Sequence, residues 1–144
     1  MTFELLKVMG MTTNIIDEFG HNAGKVWSTL NSHGPLSEAK LMNTTMLNEN
    51  ALYAAIGWLA RENKVRKDVF LYKLGETNLT DVIGEKAGKI WNVLCNQKEI
   101  DIANAAKILM QMGQMNEKDV FAALGWLARE GKLETKNILR PKSY

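Results

Sequence analysis

"AAIGWLARENK", Ala54–Lys64, is written a second time as "AALGWLAREGK", Ala122–Lys132, with two residues changed. A second phrase behaves the same way: Ala23-Gly24-Lys25-Val26-Trp27 returns as Ala87-Gly88-Lys89-Ile90-Trp91. The first pair stands 68 positions apart and the second 64, so the second copy holds about four additional residues between its phrases. The stretch "KEIDIANAA", Lys98–Ala106, is their simplest location and reads as a loop. All four tryptophans fall into equivalent pairs, Trp27 with Trp91 and Trp58 with Trp126. Self-similarity at one fixed period marks a tandem duplication, each copy being one structural unit.

Within each copy the apolar spacing is helical. Phe19, Ala23, Val26, Trp27 and Leu30, mirrored by Ile83, Ala87, Ile90, Trp91 and Leu94, form one buried stripe on a first helix. Gly34-Pro35 stops that helix in copy one. Ser37 is a good N-cap for a short second helix through Ala39, Leu41 and Met42, with Ala105–Met110 as its counterpart, and Asn43–Thr45 and Gln111–Gly113 read as turns. A third helix opens at Asn48 or Asn116, buries Leu52, Ala55, Ile56 and Leu59 (Val120, Ala123, Leu124 and Leu127 in copy two), and ends at Asn63 or Gly131. After it, "KVRKDVFLYKL" and "KLETKNILRPK" have strand character, with Lys67-Asp68 and Lys136-Asn137 as hairpin tips. Three helices and a terminal hairpin outline a winged helix; a bare three-helix bundle is the competing reading.

Composition narrows the class. The 144 residues are 46% hydrophobic, as in a packed domain, and carry 18 Lys and Arg against 16 Asp and Glu. A formal charge of +2 gives no whole-chain pull toward nucleic acid or anionic lipid, so any such attraction is local. One cysteine excludes an internal disulfide framework and fits a reducing, cytoplasmic setting. No stretch approaches the roughly 18 apolar residues of a membrane helix. Each copy is so small that it buries little of its own surface, and the connection Gly75–Asp81 is not a flexible tether, so the halves are expected to touch. The expected fold class is mainly α with short β-hairpins: two tandem winged helix-turn-helix domains packed as an intrachain pseudo-dimer. The expected divisions are an N-terminal arm at 1–12, domain 1 at 13–76 and domain 2 at 77–144.

The combination of "AGKxW" in the first helix with "GWLARExK" closing the third, ahead of a hairpin, resembles the small winged helix-turn-helix domain family, formerly a domain of unknown function, of Bacteroides-type bacteria. Both copies match, over nearly the whole chain beyond the first dozen residues. The resemblance implies the fold, a tendency of single-domain members to pair, and an expected DNA-binding, regulatory role. It implies no enzymatic activity. Two domains in one chain look like a fused form of that dimer.

A helix-turn-helix reader presents the N-terminal half of its third helix to DNA. Here Asn50, Tyr53 and Lys118 are the useful candidates, while Glu49 and Glu117 repel phosphates and suit the helix dipole. The wings offer Lys64, Arg66, Lys67 and Lys73, then Lys132, Lys136, Arg140 and Lys142, either as phosphate contacts or as a solvated, charged strand edge. A wing-dominated grip on double-stranded DNA is weakly sequence-specific and salt-sensitive. The alternative is a protein–protein interaction module that binds no DNA. Ala54, Gly57 and Trp58, with Ala122, Gly125 and Trp126, share a helix flank off the core stripe. They are candidates for contacts between the halves or between chains, against the reading that each tryptophan packs on its own first helix and wing. Arg61 with Glu62 and Arg129 with Glu130 read as ion pairs near helix ends.

Catalytic chemistry has no foothold in this sequence. His21 and His33 have no counterparts in copy two, Cys95 aligns with Asn31, and "VIGEKAGKIW" lacks the Ser or Thr of a phosphate loop. No cofactor and no metal is expected. Met110, Met112 and Met115 read as gap-filling core residues.

Overall fold

The computed structural model describes residues 15–97, 100–101, 104–135 and 138–141. Copy one runs α1 (Ile15–His33), β1 (Leu36–Ser37), α2 (Glu38–Thr45), α3 (Glu49–Arg61), β2 (Val65–Asp68) and β3 (Leu71–Leu74). Copy two runs a π-helical turn (Thr80–Gly84), α4 (Glu85–Gln97), β4 (Ile100–Asp101), α5 (Ala105–Gly113), α6 (Glu117–Arg129), β5 (Leu133–Thr135) and β6 (Ile138–Pro141). Each copy is a three-helix unit closed by an antiparallel three-stranded sheet, ordered β1-β3-β2 and β4-β6-β5.

Local chemistry fixes the helix ends. The side-chain oxygens of Asn48 and Asn116 accept from the N–H groups of Ala51 and Asp119, both at 2.9 Å, and so satisfy a free donor at the start of α3 and α6. At the other end Asn63 (φ 61°) and Gly131 (φ 72°) turn left-handed. Lys64 N–H then reaches back to Leu59 C=O and Lys132 N–H to Leu127 C=O, a Schellman closure in both copies. Ser37 caps α2 through Lys40 N–H.

Several expectations require correction. Asn43–Thr45 and Gln111–Gly113 are the last turns of α2 and α5, not loops; the chain reverses one residue later, at Met46 and Gln114, both left-handed. The stretch Lys98–Ala106 contains strand β4. It pairs Ile100 with Leu139 as β1 pairs Leu36 with Tyr72, so the additional residues follow Asp101, three before α5 and one in α5 itself, which has nine residues against eight in α2. The first hairpin turns at Val69-Phe70, not at Lys67-Asp68, because Asp68 still pairs with Leu71. Positions 136–137 lie outside the described residues, as does the arm at 1–12. Trp27 is 39% exposed and does not belong to the buried stripe. Met112 is half exposed, not a core filler.

The cores are shared between copies. One cluster gathers copy-two residues such as Ile90, Leu94, Leu109 and Leu127, and is completed by Ile15, Phe19 and Ala54 from copy one. The other gathers Val26, Leu41, Leu52 and Leu59, and is completed by Ile83 and Ala122 from copy two. Each unit thus closes its hydrophobic interior with the start of its twin's first helix, the remedy for a domain too small to bury enough alone. The connection is fastened to the outer edge of β2. The Asn78 carboxamide pairs with both Lys67 N–H (2.9 Å) and Lys67 C=O (2.7 Å), and Gly75 N–H donates to Lys64 C=O. That edge strand therefore offers no free backbone at Lys67.

Candidate functional site

The site with the most cross-copy chemistry is the seam between α3 and α6, the most extensive packing between elements in the molecule. A Cβ at Gly57 would land on the carbonyl oxygen of Ala122, and one at Gly125 on that of Ala54. The two helices therefore touch backbone to backbone, which only glycine permits. Their direction follows from the polar contacts at both ends. Near the starts, Asn50 Nδ2 donates to Glu117 Oε1 (2.9 Å) and Lys118 Nζ meets Glu49 Oε2 (3.5 Å). Near the ends, Arg61 Nε meets Glu130 (3.1 Å) and Arg129 Nε meets Glu62 (2.9 Å). Start meets start and end meets end, so α3 and α6 run side by side in the same sense about a pseudo-twofold axis.

This geometry replaces the ion pairs expected within each phrase. Arg61 pairs with Glu130 and Arg129 with Glu62, each arginine crossing to the twin's carboxylate. Glu62 and Glu130 then also hold Lys64 and Lys132, both at 3.6 Å. The Arg61 guanidinium lies 5.8 Å from the Trp126 ring centroid, another contact across the seam. Trp58 and Trp126 do two things at once: each ring edge packs on its own copy, at Gly20 of α1 and at Gly84 in the π-helical turn that leads into α4, and each borders both cores.

The third-helix candidates for DNA contact are engaged inside the molecule. Asn50 is bonded to Glu117, and Lys118 to Glu49 with its ammonium 5.8 Å over the Tyr53 ring. The Tyr53 hydroxyl donates to Glu38 Oε2 at 2.8 Å; burial, reinforced by that carboxylate, holds its pKa well above the usual phenol value. In the first wing, Lys73 and Arg66 both bind Asp68, at 2.9 and 3.1 Å, and hold its carboxyl below the ordinary carboxylate range. Lys67 sits 5.2 Å over Tyr72. In the second wing, Lys132 reaches Glu130 and lies 5.3 Å from the Trp91 centroid. Lys136, Lys142 and the Arg140 side chain lie outside the described residues.

Two features had no sequence signal. The first wing ends in an apolar tip, Val69 and Phe70 being 81% and 79% exposed, and Val69 is left-handed at φ 57°. A β-branched residue is strained there. Val69→Asn is expected to raise stability by about 1 kcal/mol, since Asn tolerates this region. Thermal unfolding checks it; an unchanged or lower Tm would mean the turn carries no strain. The second feature is a groove between α1 and α3 of about 320 Å³, walled by Trp27 and Trp58 and floored by Gly20, Ala23 and Gly24.

Among the described residues no group of three or more His, Cys, Asp or Glu is placed to hold a metal ion, and no helix is long and apolar enough to cross a membrane. No curated protein and no solved structure matches the chain. The family model described as "Winged helix-turn-helix domain (DUF2582)" matches residues 11–70 and again residues 77–140. With two successive matches spanning most of its length, the chain belongs to that winged helix-turn-helix family, as a tandem pair.

Proposed function

We propose that this chain is a non-catalytic, cytoplasmic protein-docking module of regulatory type, in which the winged-helix pair is a rigid scaffold and the third helices read no DNA. The observation that carries the reading is the backbone contact of α3 and α6 at Gly57–Ala122 and Gly125–Ala54. A major groove about 12 Å wide admits one helix, not two side by side. Side chains that would reach bases, Asn50, Tyr53 and Lys118, already face partners across the seam or on α2. Carboxylates Glu49, Glu117 and Asp119 stand at the helix starts, where phosphates would be repelled. The single thiol, Cys95, is exposed and suits a reducing compartment.

A second reading keeps DNA as partner through the wings alone. It is favoured by the basic residues of both hairpins, although Asp68 and Glu130 offset several of them. The two readings separate in a salt titration with random-sequence duplex DNA. The docking reading expects no retained complex at about 50 mM salt, where phosphate contacts are strongest. A complex that forms there and weakens steeply with added salt would instead establish the wing grip.

A further inference from the structure

Gly24 lies in the middle of α1, and a Cβ there would meet nothing within 4 Å. Its twin Gly88 in α4 is equally open. A mid-helix glycine weakens a helix relative to alanine, so an open one in both copies has no explanation in the packing of the described residues. The residues beside it share that character. Trp27 is 39% exposed, and Lys25 has no ion-pair partner among the described residues. Gly24 and Trp27 thus line one face of α1, while Lys25 lies on the other side of Gly24.

That face is the groove already described. Eight of its nine lining positions carry the same residue in copy two, the exception being Ser28, replaced by Asn92. In copy two the Lys132 chain lies against Trp91, whereas Trp27 stands open in copy one. On the far side of Gly24 and Ser28 a second depression of about 550 Å³ continues past His21, Lys25, Thr29 and Thr44. In copy two those four positions are Glu85, Lys89, Val93 and Met112, so the donor-rich half exists only beside the open groove. Lys64 and Glu62 line the groove and Lys25 the adjoining depression, and Glu62 is bound by both Lys64 and Arg129. The net local charge is positive, and the occupant it favours is acidic.

We propose that this groove docks an extended acidic peptide of a partner protein, its apolar anchor residue seated over Gly24 between Trp27 and Trp58 and its adjacent carboxylate accepting from Lys25 and the Ser28 and Thr44 hydroxyls. Gly24 admits the peptide backbone close to the helix, and the indoles supply the apolar contact. The inference deepens the docking reading by naming its site and the partner's chemistry.

The test uses the full chain and short synthetic peptides with a central Leu, Pro or Trp flanked by Asp and Glu, beside charge-reversed versions flanked by Lys. The four indole N–H signals, assigned by Trp→Phe variants, report binding. Acidic peptides are expected to shift the Trp27 and Trp58 signals saturably, and the reversed ones to leave them in place. Gly24→Leu should weaken binding at least about tenfold, the scale of losing an anchor contact, while Tm stays the same or rises. Trp27→Ala, at an exposed position, should weaken it similarly without loss of fold, and Lys25→Glu should reverse the charge preference. Unmoved Trp27 and Trp58 signals, or undiminished binding by Gly24→Leu and Trp27→Ala, would overturn the groove. So would a lowered Tm for Gly24→Leu, since the glycine would then serve the fold. DNA binding in the salt titration would remove the docking reading while leaving the groove to stand or fall on the peptides.

Discussion

Gly57→Val and Gly125→Val are each expected to cost at least about 3 kcal/mol, beyond the usual range for an overpacked core, and to broaden or abolish cooperative unfolding in urea. The reason is what the new side chain meets. Most overpacking is relieved when a neighbouring side chain changes rotamer, but at Gly57 the obstacle is the Ala122 carbonyl and at Gly125 the Ala54 carbonyl. Backbone in the middle of a helix has no rotamer to change. The helices must separate, and the Arg61–Glu130 and Arg129–Glu62 pairs that straddle them separate too. Those exposed pairs add little by themselves. Even alanine is expected to be damaging at these two positions. Both glycines lie on one seam, so the double variant should cost clearly less than the two single losses together, the first substitution having already opened the contact. A loss below about 1 kcal/mol for either valine would mean that the third helices are not in backbone contact.

Gly24 supplies the contrast. The four glycines shared by both copies of the repeated phrases look alike in sequence, yet a Cβ at Gly57 or Gly125 strikes backbone, while at Gly24 or Gly88 it enters open space. Gly57 and Gly125 stand out in the sequence because they share a flank with Ala54 and Ala122 off the core stripe, whereas Gly24 has no such neighbours. Helical spacing identifies which face is apolar, but not whether a neighbour covers it, and Trp27 falls on the apolar stripe by spacing while remaining 39% exposed.

The repeat itself made most of the architecture readable: equal phrases, Asn caps before each third helix and left-handed residues after it dictate equal units. Duplication also hid something. When Arg61-Glu62 and Arg129-Glu130 are the same words, nothing in the chain says whether an arginine binds its own neighbour or the twin's, and the structure selects the twin's. Two-residue strands such as β1 and β4 are too short to show any periodicity. The apolar tip at Val69-Phe70 escaped because β2 extends two residues further than the polar Lys67-Asp68 pair suggested.

The sharing of cores leads to the other large effect. Phe19 belongs to copy one by sequence and is 1% exposed, yet it packs within the cluster of Ile90, Leu94, Leu109 and Leu127. Phe19→Ala is therefore expected to destabilise the protein by about 3–5 kcal/mol, the range for emptying a buried aromatic site, and to do so through copy two. Ile83→Ala acts reciprocally on copy one, by about 2–5 kcal/mol. Amide hydrogen exchange distinguishes this from ordinary domain-by-domain behaviour. In Phe19→Ala the earliest loss of protection should appear in α5 and α6, more than 80 residues along the chain from the substitution, instead of being confined to α2 and α3. Two independent folding units would keep the twin's protection intact and unfold in two steps. A shared interior requires one transition for both halves, because neither hydrophobic cluster is closed until the first helix of the other copy is in place.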